Sequence, residues 1–241
     1  KAIQSLDFYR YVCIRYIWNY SYNLKQGDYM PMKTKLSYAP SIRRLPSYLH
    51  IIRAFQRTGD PYISGTWIAN ELNLEPIQVR KDLAITGIVG KPKKGYPVEP
   101  LIAAIEHYLA WDVEQKAMIV GAGNLGSALI GYQEFRNHGL HFVAAFDNDL
   151  SKVRHSIHQV QVYGMEELKE VIEKMNITLA VLTVPSPYAQ SSCDAIVAAG
   201  IRAIWNFTNV KLKVPDDVLV QREDLSSGYA ILSVMIRTRA K

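Results

Sequence analysis

The chain has 241 residues, 49% of them hydrophobic, enough for one large domain or two smaller ones with a sizeable core. Its net charge of +6 is uneven: residues 33–100 carry eleven Lys/Arg against five Asp/Glu, and residues 101–241 thirteen against fifteen. Cys13 and Cys193 lie far apart without metal-ligand spacing, which argues against a disulfide framework or a zinc site and suits a reducing cytoplasm. No apolar run reaches the eighteen or so residues that would span a bilayer, and the opening segment has no signal-peptide core.

A basic first half beside a near-neutral second half predicts two domains with different partners, one of them a polyanion; a merely basic solvated surface is the alternative. Residues 1–32 hold six tyrosines and Trp18 without a clean period beyond a short helix near Asp7–Trp18. Met30 and Met32 precede the first well-patterned segment, so residues 1–32 read as an extension of uncertain order and the functional polypeptide as starting near Met30.

From Ser41, Leu45, Leu49, Ile52 and Phe55 recur at helical spacing until Thr58-Gly-Asp-Pro61 stops the helix. Ser64 caps a second helix with Trp67, Ile68 and Leu72 on its apolar face. A short turn leads to Pro76, which opens a third helix through Ile85 carrying Gln78, Arg80 and Lys81. Two short helices joined by a tight turn make a helix-turn-helix, although any helix hairpin shares the pattern. Arg and Gln can read guanine and adenine edges in the major groove, and Lys81 can read a base or touch phosphate. The following stretch, Thr86–Tyr96, is punctuated by Gly87, Gly90 and Gly95 and carries Lys91, Lys93 and Lys94. It stands where a winged helix places its wing; an exposed, solubilising loop is the alternative. Residues 33–100 are therefore read as a winged-helix DNA-binding domain, with the boundary near residues 98–115 after a helix over Val98–Tyr108.

Ala117–Val120 is a short buried strand, followed by Gly121, Gly123 and Gly126 in the spacing G-x-G-x-x-G. The first glycine allows the turn, the second lets backbone approach a pyrophosphate, and the third lets the helix pack on the strand. The helix N-terminus adds free N–H groups and a positive dipole end. A second strand, Phe142–Phe146, ends at Asp147, twenty-one residues after Gly126. An acid there is placed to bond both ribose hydroxyls of an adenosine and to repel a 2′-phosphate, so NAD(H) is expected over NADP(H). Strand and helix then alternate: Val160–Tyr163, Met165–Met175, Thr178–Val184, a break at Pro185-Ser-Pro187, Tyr188–Ala199, and Ala203–Trp205 ending in Asn206-Phe207. That alternation predicts an α/β fold, with a doubly wound Rossmann sheet over residues 101–225. Ser226–Arg239 reads as a terminal helix with Tyr229, Ile231, Leu232, Val234, Met235 and Ile236, and is poorly soluble unless packed on its own domain or on a partner subunit.

Basic winged helix, Gly-Ala-Gly-Asn-Leu-Gly loop and apolar C-terminal helix, in this order, resemble the Rex family of redox-sensing transcriptional repressors. The supporting segments include Arg44-Leu-Pro-Ser-Tyr-Leu, Gln78-Val-Arg-Lys-Asp-Leu83, Val120–Leu129, Ala144-Ala-Phe-Asp-Asn-Asp149, Leu182-Thr-Val-Pro185 and Asn206-Phe, and the likeness covers roughly residues 41–241. The resemblance implies a homodimer that binds a palindromic operator in double-stranded DNA when NAD⁺ is high and releases it as NADH accumulates. It also implies that the C-terminal helix, residues 226–241, is swapped between the DNA and nucleotide domains of the other subunit. By the same resemblance, Arg80 and Lys81 touch DNA, and Gly121, Ala122, Gly123, Asn124, Leu125, Gly126 and Asp147 hold adenosine and pyrophosphate. Pro185, Asn206 and Phe207 lie around the nicotinamide, and Tyr132 and Asp224 belong to the interdomain switch. From the residues alone, Tyr132 would read as a half-buried helix aromatic and Asp224 as a helix cap.

The chain also departs from the family's pattern. Ala84-Ile-Thr-Gly87 replaces Ser-Tyr-Phe-Gly, Pro92-Lys93 replaces an Arg-Gly pair in the wing, and His50 stands where an arginine is usual. The segment after Asp224 is also shorter. These differences bear on the operator and the size of the response more than on the fold. Two other readings compete: an NAD-dependent oxidoreductase, and a Rex-like paralogue with weak DNA binding. Against the enzyme, the Tyr-x-x-x-Lys pattern occurs only at Tyr29 and Lys33, before the nucleotide fold, and no histidine falls in a catalytic motif. No catalytic residue and no metal ligand are therefore expected.

Overall fold

The computed structural model describes residues 38–239, so the expectations for residues 1–32 lie outside the described residues. The N-terminal half is helical. Helix α1 (Ala39–Gln56) buries Leu45, Leu49 and Ile52 of the stripe read from the sequence together with Tyr48, while Phe55, the stripe's last member, is half-buried against the same core. Fully burying each such side chain contributes about 1.5–3 kcal/mol. Helix α2 (Gly65–Glu71) starts at Ser64, whose Oγ accepts the Trp67 N–H at 3.0 Å. Helix α3 (Pro76–Ala84) has proline in its first turn, where the missing N–H costs nothing. The two-residue strands β1 (Tyr62–Ile63) and β2 (Tyr96–Pro97) pair antiparallel, and α4 (Val98–Tyr108) follows directly. Ile63, Ile68, Val79, Leu83, Leu101 and Ile105 close one core with the α1 stripe.

The wing is tighter than the glycines alone suggest. Its base is β1–β2, and between them only Lys91 and Gly95 form a ladder bridge. The rest of Thr86–Tyr96 is turn and loop.

The second half is a seven-stranded sheet in the order β5-β6-β4-β3-β7-β8-β9. In chain order these are β3 (Gln115–Val120), β4 (Leu140–Phe146), β5 (Ser156–Ile157), β6 (Val160–Tyr163), β7 (Leu179–Leu182), β8 (Ala203–Asn206) and β9 (Leu219–Arg222). All neighbours are parallel except β5, which turns back antiparallel on β6 at one edge. Helices α5 (Asn124–Gly131), α6 (Gln133–Asn137), α7 (Leu168–Met175) and α8 (Ala189–Ala198) cover the faces. Met118 and Val120 of β3 enter one core with α7 and α8, whereas Ala117 and Ile119 enter the core on the opposite face. A strand buried on both faces is apolar at every position, which is why β3 and β7 read as continuous runs rather than alternations.

Most elements match their sequence spans to within a residue or two. Five have no counterpart in the sequence pattern: β1, β2, α6, β5 and β9. The expected helix at Met165–Met175 begins as a 3₁₀ turn, Met165–Glu167, and Tyr188 ends another, Ser186–Tyr188, ahead of α8. The strand expected over Thr178–Val184 is paired only over Leu179–Leu182, because Thr183 and Val184 bend into the loop beside the glycine turn. The last helix, α9 (Ser226–Arg239), has the expected span and no buried residue.

Candidate nucleotide cavity and nucleic-acid face

Strands β3 and β7 are adjacent, and the chain leaves them in opposite directions across the sheet, making the switch point where open α/β sheets bind ligands. Gly121 has φ +104°, and a Cβ on it would lie 2.9 Å from the Thr183 carbonyl carbon and the Val184 nitrogen. A Cβ on Gly126 would lie 2.2 Å from the Gly121 oxygen, so α5 packs directly on the turn. Gly123 differs: nothing lies within 4 Å of its Cβ position, which leaves its backbone open to a ligand. Thr183 Oγ1 donates to the Gly121 oxygen at 2.8 Å and locks the turn from the β7 side.

A cavity of about 750 Å³ opens at this point, within the range of small-molecule sites. Gly121, Gly123, Leu125, Asp147, Pro185 and Phe207 line it, with Phe146, Met165 and Val184 as apolar wall and Thr183, Ser186 and Ser192 as polar positions. Of the other expected residues, Ala122 is buried and donates its N–H to Asp147 Oδ2 at 2.9 Å, and Asn124 is exposed at the start of α5. Gly126 lies beneath the turn. Asn206 is buried: its Oδ1 accepts from Thr208 N and Oγ1 at 2.9 and 2.7 Å, and its Nδ2 donates to the Val210 oxygen at 2.9 Å. It shapes the loop that brings Phe207, Thr208 and Asn209 to the cavity wall.

Asp147 is the pivot of the acidic side. Its Oδ1 accepts the Asp149 N–H at 2.9 Å, and Lys152 Nζ lies 3.1 Å from its Oδ2 and 3.7 Å from Asp149 Oδ2. A carboxylate offers about four lone-pair sites, so three donors leave room for one more. Two carboxylates against one ammonium keep this corner net negative. Hydrogen bonds from Ser151 hold the exposed Asp149 carboxyl below the usual range. Lys152 and Thr183 are not among the residues that the sequence points to; the spacing Asp147-Asn-Asp149-Leu-Ser-Lys152 is the available signal for the first.

On α3, Arg80 and Lys81 are exposed, as are Lys91, Lys93 and Lys94 in the wing. Gln78 is half-buried, and its Nε2 donates to Asp82 Oδ1 at 2.8 Å. Asp82 is fully buried and also accepts Arg44 Nε and Nη2 at 2.6 and 2.9 Å and Tyr48 Oη at 2.5 Å. Burial pushes its carboxyl up, but the bonds from Arg44, Tyr48, Ser41 and Gln78 outweigh that and hold it well below the usual carboxylate range. The network ties α3 to α1 and is absent from the sequence expectations; an acid between Val79 and Leu83 on the buried stripe is its signal.

A second cavity, about 880 Å³, lies between α1 and the sheet, lined by Leu49, His50, Arg53, Trp111, Tyr132, Phe135, His138 and Trp205. Trp111 stacks on His138 with centroids 3.7 Å apart and planes 14° from parallel. Burial lowers the His138 pKa, and Arg53 pairs with Glu106. Tyr132 is 54% exposed and meets Phe135 edge-on at 5.0 Å. Asp224 stands at the start of α9, where its Oδ1 accepts Ser226 N and Oγ at 2.9 and 2.6 Å.

Residues 37–84 match the family described as a putative DNA-binding protein N-terminus, and residues 112–210 match the CoA binding domain family. A redox-sensing transcriptional repressor Rex of Treponema denticola is 60% identical over 207 residues, covering 86% of this chain and 99% of that protein. The chain belongs to the Rex family. A Rex of Bacteroides thetaiotaomicron is 37% identical over 196 residues, 81% of this chain and 88% of its own. Among solved structures, the Rex-family repressor RSP in complex with β-NAD⁺ and operator DNA superposes with a TM-score of 0.78 at 33% identity, covering 86% of this chain and 95% of that one. RSP in complex with β-NADH gives 0.77 at 32%, covering 86% and 97%. The Rex relatives span both the helical and the sheet half, and this chain is accordingly a transcriptional regulator and not an oxidoreductase. Among the described residues no helix is long and apolar enough to cross a membrane.

Proposed function

We propose that the protein is a cytoplasmic, homodimeric repressor that binds a palindromic operator with NAD⁺ or no ligand and leaves it as NADH rises. The observation that carries this is the pairing, in one Rex-family chain, of an exposed basic α3 and wing with a glycine turn, an acid and an apolar wall around one cavity. Both RSP complexes support it, since that relative is solved with β-NAD⁺ and operator DNA and with β-NADH.

The cavity residues fit a dinucleotide. Gly123 and the first N–H groups of α5 would receive the pyrophosphate, with Asn124, Leu125 and Gly126 forming that first turn on the Gly121–Ala122 bend. Asp147 would hold the adenosine ribose, and its second acceptor site frees once Lys152 swings away. The net negative corner disfavours a 2′-phosphate. Pro185 and Phe207 would flank the nicotinamide, on the loop that Asn206 fixes. The two redox forms of the cofactor differ by one positive charge on the nicotinamide ring. An apolar wall of Val184, Pro185 and Phe207 penalises that charge more when closed around it than when open, so closure is biased toward the neutral form.

On the DNA side, Arg80 and Lys81 would enter the major groove, Lys91 and Lys94 would meet the backbone with Lys93 adding only to the basic field at the wing's tip, and Gln78 would steady α3 through Asp82. Helix α9 of a second copy would fill the cavity beside His50, Arg53 and Tyr132, with Asp224 at its mouth, so that closure is transmitted to the helical half. A nearly complete switch requires a preference of about 5.5 kcal/mol, which two sites in a dimer can share.

Fluorescence anisotropy with a labelled duplex from the protein's own upstream region tests this. Binding with NAD⁺ that NADH reverses at constant salt is expected. Tight binding indifferent to NADH would remove the switch, and absence of binding would leave the weak-binding paralogue.

A further inference from the structure

The three wing lysines are not equivalent. Lys91 N–H donates to the Gly95 oxygen at 2.7 Å, and Gly95 N–H donates back to the Lys91 oxygen at 3.0 Å. This closes a tight turn with Lys93 at its tip, in the left-handed region at φ +61°. The turn is seated on β1, because a Cβ on Gly95 would lie 2.3 Å from the Ile63 oxygen. Tyr62, the first residue of β1, therefore lies beside the wing. Lys91 Nζ donates to Tyr62 Oη at 2.7 Å and stands 5.2 Å from the ring centroid, and Lys94 Nζ stands 5.6 Å from the same centroid.

Two ammonium groups thus share one ring, and among the described residues neither is ion-paired with a carboxylate. Like charges gathered at one ring repel, and the ring face and phenol oxygen offset only part of that cost. An anion between them would offset the rest. The bond from Lys91 holds the Tyr62 phenol below its ordinary range, as expected of an oxygen facing uncompensated positive charge. The cluster also borders α3, the recognition helix of the DNA-binding reading: Arg80 Cγ lies 3.6 Å from the Gly65 Cβ position, and its charge acts on Tyr96 of β2, the partner strand of β1. Lysine is a compact point charge suited to phosphate and lacks the planar fork that reads guanine.

We propose that Tyr62 is the positioning residue of a two-lysine clamp, in which Lys91 and Lys94 grip DNA backbone phosphates beside the groove that α3 enters. The clamp rests on the DNA-binding reading above. It adds an uncharged residue outside the recognition helix and separates Lys93 from its neighbours.

The test uses the full-length protein, a labelled duplex from its upstream region and a shuffled duplex of equal length, across about 50–200 mM salt. Lys91→Met and Lys94→Met each reduce the slope of log K against log salt by about 0.9 for each phosphate that is no longer neutralised, on both duplexes alike. Tyr62→Ala leaves the charge intact yet weakens operator binding about two- to fivefold, and Tyr62→Phe, which keeps the ring, restores part of it. Lys93→Met leaves the slope near the wild-type value. An unchanged unfolding midpoint shows that each variant is folded. Wild-type affinity and slope in Tyr62→Ala, or a Lys93→Met slope equal to that of Lys91→Met, overturns the clamp. Wild-type protein without salt-dependent binding overturns the DNA-binding reading itself, and the clamp with it.

Discussion

At the scale of single residues, Asp82 carries the largest electrostatic burden of the helical half. Its carboxylate takes side-chain hydrogen bonds from Arg44 and Tyr48 on α1 and from Gln78 on α3, and it is fully buried. Removing one partner of a buried pair leaves the others desolvated and unpaired, which costs about 3–5 kcal/mol. Because Arg44 keeps some exposure, Asp82→Ala is expected at the lower end, a loss of about 3 kcal/mol in urea unfolding. A loss below about 1 kcal/mol, the worth of an exposed pair, would rule out this role. The pH dependence follows from the sign of the shift. A folded pKa below the unfolded value of about 3.9 gives stability that is full above that pH and is lost as pH falls toward the folded pKa. The wild type should therefore keep its advantage over Asp82→Asn at pH 5 and lose it only under stronger acid.

At the scale of elements, the β5–β6 hairpin joins Ile157 to Val160 through His158 and Gln159, with φ of +47° and +71°. A two-residue hairpin with both central residues left-handed is the type that favours Asn-Gly, and each non-glycine residue there costs about 1–2 kcal/mol. Gln159→Gly should stabilise the protein by about 1 kcal/mol, read as a higher urea midpoint at constant m-value; a lower midpoint would show that the turn is not strained. His158 is constrained differently, since a Cβ on Gly131 would come within 2.7 Å of its Nε2. The contrast with the glycine turn explains what the sequence reveals. Gly121, Gly123, Gly126 and Asp147 are legible because the turn, the close packing and the acid at the next strand end follow a short-range spacing. Helix α1 and strands β3 and β7 are legible for the same reason, through a period or an unbroken apolar run. Strand β9 is not, because all four of its residues are exposed and its order comes from pairing with β8 alone. The Asp82 network is hidden because Arg44 is thirty-eight positions away, and the Tyr62 clamp because Lys91 is twenty-nine away.

For the molecule as a whole, the uncompensated element is α9. Tyr229, Ile231, Leu232, Val234, Met235 and Ile236 are each more than half exposed, so the helix presents apolar surface on every side. A helix of fourteen residues is marginal in water by itself, and its stability must come from packing an apolar face. The cavity beside Trp111, Tyr132, Phe135 and Trp205 offers complementary apolar surface. Reciprocal exchange of α9 between two copies would bury both surfaces through one two-fold operation, which is how a closed dimer forms without leaving an unsatisfied patch. Leu232 and Ile236 are four residues apart and share one side of α9, so Leu232→Glu with Ile236→Glu places two charges on a face meant to be desolvated. Light scattering should find a wild-type dimer and a monomeric double variant that still binds NADH, because the nucleotide cavity draws its walls from the ends of β3, β4, β7 and β8 and the segments that follow them, and not from α9. A double variant that remains dimeric would place the subunit contact elsewhere. A wild type that is monomeric at micromolar concentration would leave α9 without its partner and detach the nucleotide cavity from the recognition helices.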